Sequence, residues 1–295
     1  MELMRKKVIK GHNGAIYDIF CNDNVFAYTT AADKYVVRWD LSRGVQDDFT
    51  VRLEHTSFQI TLDENNNFLF IGNSKGGIHV IDVKERREIK LLQQHRSPIF
   101  ALVFDDKNGV FYSGDSEGYF CVWQADTLKL LLTLPLECGK IRQISLHPSG
   151  EYLVVCGQDG YVRILDTSFY NEHSKIKAHG SGVNCALFKE DLLYTGGKDA
   201  YLSLWDWRKG DKIRSVPAHN YAVYDLKLLN NGEQLVSGSF DKSIKLWQAD
   251  TIEIIQRKEF KDGGHRHTVN RLCKTSESGF LSVSDDRQII EWKLV

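Results

Sequence analysis

AHNYAVYDLKLLNNGEQLVSGSFDKSIKLWQAD, residues 218–250, decides the fold. It opens on His219, with an apolar residue, Val223, four positions later. An alternating run reaches a turn at NNGEQL. A second run ends in a tight turn around Asp241, and a third closes on Trp247. The runs are short, β-branched and aromatic, with turn residues between them, which is the chemistry of strands. The opening phrase recurs as GHNGAIYDIF from Gly11, QHRSPIFALVF from Gln94, AHGSGVNCALF from Ala178 and GHRHTVNRLC from Gly264. The closing position recurs at Trp39, Ile81, Trp123, Leu165, Trp205, Trp247 and Trp292, at intervals of 42, 42, 42, 40, 42 and 45 residues. Seven units therefore fill nearly the whole chain, and none of them carries a helical period. The reading is all-β, with four short strands per unit.

One such unit cannot cover both of its faces. Stacking units in a ring covers them against each other, so the expected fold is a seven-bladed β-propeller forming one domain over 1–295. The last unit stops after its third strand, EWKLV. Residues Arg5–Lys10 precede the first His and belong to no unit. They are expected to supply the outer strand of the last blade and so remove an open seam.

Composition narrows the function classes. The 295 residues are 42% hydrophobic and 26% charged, with a formal net charge of −1. That balance suits a globular protein and gives no net positive field for nucleic acid or an anionic membrane. No apolar run is long enough to span a bilayer, and MELMRKKVIKGH is not a secretory leader. A cytoplasmic location is expected. Cys21, Cys121, Cys138, Cys156, Cys185 and Cys273 show no C-x-x-C or metal spacing and read as small buried residues kept reduced.

The repeated His, Asp and Trp-Asp phrases resemble the WD-repeat family, of the G-protein β-subunit type, over about 290 residues. That resemblance implies a hydrogen-bonded His–Ser/Thr–Asp–Trp group inside each blade. Four units carry the full set: His12, Thr29, Asp33, Trp39; His179, Thr195, Asp199, Trp205; His219, Ser237, Asp241, Trp247; and His265, Ser282, Asp286, Trp292. The third unit has His95, Ser113 and Trp123 but Glu117 at the Asp position. The second has His55 with Lys75 and Ile81. The fourth keeps Asp159 but has Val155 and Leu165, with Glu137 near the His position. Blades two and four are accordingly expected to hold by apolar packing alone.

Several constellations invite other chemistry. Ser, His and Asp recur four times at equal spacing with a Trp and no G-x-S-x-G elbow, which favours a structural network over a hydrolase triad. His265-x-His267 supplies two ligands at most, too few for a metal centre. No G-x-x-x-x-G-K-[ST] loop is present. No catalytic residue, metal or cofactor is expected. Trp205-Asp206-Trp207-Arg208 matches a W-D-x-R phrase that contacts a cullin-ligase adaptor in some members of the family, so a ubiquitin-ligase receptor is an alternative function. A channel-site enzyme is a further one.

The family resemblance places partner contacts on the face carrying the loops before each first strand. The position five after the opening His, with the seven units aligned by their turn phrases because the His of the second unit lies closer, gives a ring of Tyr17, Phe58, Phe100, Arg142, Asn184, Tyr224 and Asn270. The ring two residues earlier is Ala15, Thr56, Pro98, Lys140, Gly182, Ala222 and Thr268. The residue before each turn acid adds Ala32, Ser74, Ser116, Gln158, Lys198, Phe240 and Asp285. Aromatics and Arg dominate binding hot spots. The expected site is an apolar arc of Tyr224, Phe240, Tyr17, Phe58 and Phe100 beside a positive corner of Lys140 and Arg142, with Asn184 and Asn270 completing the ring. It suits a peptide with an acidic end. The competing expectation is that the rings close over one another and plug the channel. The function read from the sequence is a non-catalytic scaffold for proteins or peptides, monomeric alone and acting within complexes.

Overall fold

The computed structural model describes residues 2–21 and 25–295. These form seven four-stranded antiparallel sheets. The first comprises Ile16–Phe20, Phe26–Ala31, Tyr35–Asp40 and Val45–Arg52. The next five span 57–92, 99–135, 141–177, 183–217 and 223–258 in the same meander. Each innermost strand packs against those of the blades before and after it, and the seventh meets the first, so the ring is closed. Seven apolar cores result, each shared by two adjacent blades. The closing positions, from Trp39 to Trp292, are all buried in them.

Blade seven is built from both chain ends. Val269–Ser276, Gly279–Ser284 and Gln288–Leu294 are joined by Leu3–Lys10, which pairs antiparallel with Gln288–Leu294. The closing strand thus starts two residues earlier than Arg5. Its ladder shifts register between Arg5 and Lys7. An unbroken strand would point residues 3 and 9 to the same face; the bulge inverts the alternation. Leu3 therefore enters the core shared with blade six, beside Val236 and Phe280. Ile9 enters the core shared with blade one, beside Ile16 and Trp39. One strand seals both flanks of its blade. Glu2 and Val295 exchange backbone bonds of 2.8 and 2.9 Å, tying head to tail.

The interior polar chain takes one form in five blades. His219 Nδ1–H donates to Asp241 at 3.0 Å, Ser237 Oγ lies 2.7 Å from His219 Nε2, and Trp247 Nε1–H donates to Ser237 Oγ at 2.9 Å. The neutral imidazole with its proton on Nδ1 satisfies every member. The equivalent chains of blades one, five and seven have matching geometry. Blade three has it too, with a different acid. His95 Nδ1–H donates to Asp115 at 2.9 Å, while the Glu117 side chain takes no part and only its backbone N–H donates to Asp115. Asp115 comes two residues earlier in the chain yet reaches the same imidazole nitrogen.

Blades two and four are not held by apolar packing alone. In blade four, Arg163 sits opposite Val155 and its guanidinium, 3% exposed, pairs with Asp159 at 2.7 Å. Cys138, fully buried, occupies the place of the missing imidazole beside Gly157, while Glu137 points to solvent. In blade two, Asn73 replaces the acid: its Oδ1 accepts the Lys75 and Gly77 amides, and its Nδ2 lies 3.0 Å from His79 Nε2. His79 in turn faces Glu88 at 2.9 Å. Each of these turns thus holds a polar pair of its own, since a lone buried polar group is costly.

These chains make the fold acid-sensitive. Burial pushes the His12 and His219 imidazoles below their ordinary 6.5. Burial alone would raise the carboxyls of Asp33, Asp115, Asp199, Asp241 and Asp286, but their hydrogen bonds outweigh it and hold them below 3.8. In both cases the unfolded chain binds protons more readily than the folded one. The stability they contribute is complete above pH 6.5 and is lost as pH falls, first through the imidazoles and then, below about 4, through the carboxylates. In blade three burial alone would lower His95, but its bond to Asp115 outweighs that and raises the imidazole to about 9, so its contribution runs the other way, present below pH 6.5 and lost as pH rises towards 9. Melting temperature is expected to fall with increasing slope as pH drops below 6.5. A constant melting temperature from pH 7 to 4 would contradict the chains as described.

Candidate partner-binding face

Every innermost strand carries a β-bulge at the same place. The ladder with the next strand skips one residue between Ile16 and Asp18, Ser57 and Gln59, Ile99 and Ala101, and Ile141 and Gln143. It does so again between Val183 and Cys185, Val223 and Asp225, and Val269 and Arg271. The skipped residues are Tyr17, Phe58, Phe100, Arg142, Asn184, Tyr224 and Asn270. A bulged residue leaves the ladder and its side chain is re-aimed. Here all seven converge on one cavity of about 320 Å³ at the mouth of the central channel. The residue before each bulge is buried in the interblade packing, where Ile141 and Val223 lie over Gly114 and Gly196 of the preceding blade with no room for a Cβ.

The two outer rings meet on the same face. The amide of each residue before the turn acid donates to the carbonyl two residues before the bulge, from Ala32 to Ala15 at 2.8 Å around to Asp285 and Thr268 at 3.2 Å. Seven such bonds fix the rim.

The aromatic residues form two clusters rather than one arc. Tyr17 meets Phe58 edge-on at 5.2 Å, Phe58 stacks on Phe100 at 4.9 Å, and Lys140 Nζ lies 4.0 Å over Phe100. Across the mouth, Phe240 contacts Tyr224 at 6.1 Å and Tyr221 at 5.7 Å; Tyr221 and Phe240 are exposed. Blade seven separates the clusters with Asn270, whose Nδ2 donates to Ile16 O and to Asp285. Asn184 likewise donates to Val223 O. These two amides hold neighbouring blades. The aromatic side chains line the mouth and leave it concave.

Arg142 is half-buried there, and among the described residues it makes no hydrogen bond or ion pair. Burial pushes its guanidinium down, as it does the neighbouring Lys140 ammonium. A desolvated cation without a counter-ion is an unfavourable arrangement that an incoming carboxylate relieves.

Below the mouth, sharing Gln59 and Arg271 with it, lies a channel cavity of about 580 Å³. Its polar groups are paired. Asp18 faces Arg271 at 3.2 Å and accepts the Ile60 amide; Asp225 faces Lys227 at 3.1 Å and accepts the Leu272 amide. Gln143 accepts the Ala186 amide. Side chains of one blade thus cap the unpaired N–H groups of another's inner edge. Among the described residues no three His, Cys, Asp or Glu side chains group as a metal site. No helix there is long and apolar enough to cross a membrane.

The W-D-x-R phrase lies elsewhere, with its two tryptophans packed into the fold and Arg208 exposed. Trp207 is fully buried against His147, Tyr152 and Phe188, and its indole donates to Glu190 O at 3.0 Å. Arg208 lies 4.5 Å over that indole and pairs with Asp191.

The class defined by this fold and face is the closed, seven-bladed propeller with a His–Ser/Thr–Asp–Trp interior. The family model described as WD domain, G-beta repeat, matches residues 4–40, 128–166, 171–206 and 210–248, together just over half of the chain. The chain belongs to the WD-repeat family. It is similar to the human kinesin-like protein KIF21A, 25% identical over 235 residues that take in 69% of this chain and 14% of the relative. It is also similar to the human serine-threonine kinase receptor-associated protein, 26% identical over 246 residues, covering 81% of this chain and 68% of the relative. The rat form of the latter is 25% identical over 244 residues. The chain thus spans about one-seventh of the kinesin-like relatives and about two-thirds of the receptor-associated ones.

Proposed function

We propose that this protein is a non-catalytic scaffold that takes a peptide segment of a partner protein into the channel mouth. The carrying observation is the set of seven bulges that turn a contiguous cluster of three aromatics, a further tyrosine and an unpaired Arg142 into one concave site. Rigid aromatic walls give contact area at low entropic cost, and Arg142 with Lys140 gives a place for an acidic group. The two kinds of relative are consistent with this. One is named for its association with a receptor, and the other is a far longer protein that shares a region with this chain.

The test is affinity capture with the parent and with Tyr17→Ala, Phe58→Ala and Phe100→Ala. Truncating a central anchor typically costs about 2 kcal/mol or more, roughly thirtyfold in affinity, so each variant is expected to lose its partners. Phe169→Ala, at a side chain that is 80% exposed and outside the mouth, should retain them. Equal capture by parent and all three mouth variants would place the interaction on another surface.

A further inference from the structure

A second concave site lies at the seam where the two chain ends meet, and four cations line it without an ion-pair partner among the described residues. It is a groove of about 760 Å³ walled by Arg5 and Lys10 from the closing strand, Arg266 and His267 from the loop before Val269–Ser276, Arg287 from the turn before Gln288–Leu294, and Phe260. Phe260 opens a one-turn helix, Phe260–Asp262, in the longest of the inter-unit intervals. That turn is rigid: Glu259 and Asp262 cap each other's backbone, Gly263 ends it in the left-handed region, and Arg5 Nη1–H donates to Gly263 O at 3.1 Å. Phe260 is nevertheless 53% exposed, with the Arg266 guanidinium 4.4 Å over its ring.

Asp285 and Asp286 also line the groove, and these carboxylates and the adjoining Glu259 are engaged within the fold. Asp286 accepts the His265 imidazole and the Arg266 and Gln288 amides. Asp285 accepts Asn270, and Glu259 pairs with Arg257 and Lys261. Among the described residues, none of Arg5, Lys10, Arg266 and Arg287 forms an ion pair, in a chain whose formal net charge is −1. Guanidinium forks recognise carboxylates with two parallel bonds, and an exposed ring held rigid supplies an apolar contact between them.

We propose that the seam groove binds a segment of a partner protein bearing clustered carboxylates interspersed with apolar residues. Charge complementarity carries the choice of occupant. The groove's concave form suits an extended segment, and the protein's near-zero net charge gives no long-range field to gather a polyanion. This site is separate from the channel mouth and stands whether or not the mouth binds a peptide.

The experiment is fluorescence anisotropy with a labelled peptide of repeating Asp-Leu-Glu. The expected result is binding that weakens as salt rises from about 0.05 to 0.2 M and falls at least about tenfold in Arg266→Glu/Arg287→Glu. Lys10→Gln should weaken it by a smaller factor, and Phe169→Ala, outside both the groove and the channel mouth, should leave it unchanged. All these side chains are exposed, so melting curves matching the parent will certify the variants as folded. Equal affinity for parent and the charge-reversed variant would overturn the proposal. So would loss of binding in Phe169→Ala, or tighter binding of single-stranded RNA or of vesicles rich in phosphatidylserine than of the peptide.

Discussion

A chain that starts at Gly11 is expected to lose its cooperative thermal transition altogether. The segment removed carries Leu3 and Ile9, 0% and 1% exposed, in two different interblade cores. Emptying either position to Ala costs about 2–5 kcal/mol, and together they approach the 5–15 kcal/mol that typically separates folded from unfolded. The truncation also strips the partner from Gln288–Leu294, leaving an open edge that invites pairing between molecules. Circular dichroism melts and size-exclusion chromatography should show a broad or absent transition and self-association. Leu3→Ala and Ile9→Ala share no core, so their losses should add. A truncated chain that melts like the parent would mean that the ring does not depend on its closing strand.

Asp241→Ala is expected to cost on the order of 2–4 kcal/mol, lowering the melting temperature by on the order of 5–10 °C. The carboxylate, with its side chain 3% exposed, accepts bonds from His219, the Asn220 and Ser243 amides and the Ser243 hydroxyl. Removing it strands all of them. Ser243 Oγ lies 3.1 Å from His219 Nδ1 and can take over part of the role, which places this variant at the lower end. Blade seven has Gln288 at that position, and among the described residues no such bond reaches His265; Asp286→Ala should therefore cost more. Lys75→Ala, at the corresponding place in blade two, is an exposed side chain and should stay within about 0.5 kcal/mol of the parent. Equal melting of Asp241→Ala and Lys75→Ala would remove the polar chains from the account of stability.

The repeat, its strands and the borrowed outer strand were legible because spacing and turn chemistry recur seven times. Aligning the units by their turn phrases located all seven mouth residues, but not why they face the channel. A bulge is a difference in residue number between paired strands, so it emerges only once the register is known. The same limit hid two polar turns. Arg163 finds Asp159 because the register sets it opposite Val155, and counting back from Trp123 lands on Glu117 instead of Asp115. Asn184 and Asn270 read as contact residues by position alone, yet their amides bond the neighbouring backbone. The seam groove escaped notice because its cations are scattered over 5–287 in the sequence and adjoin only through ring closure.

Photo-crosslinking from a benzoylphenylalanine placed at Phe58 tests the central claim most directly. Channel-mouth binding predicts a covalent adduct with a partner polypeptide from position 58, competed away by unlabelled parent protein, and none from the same probe at Phe169. Adducts from position 169 with none from position 58 would contradict it.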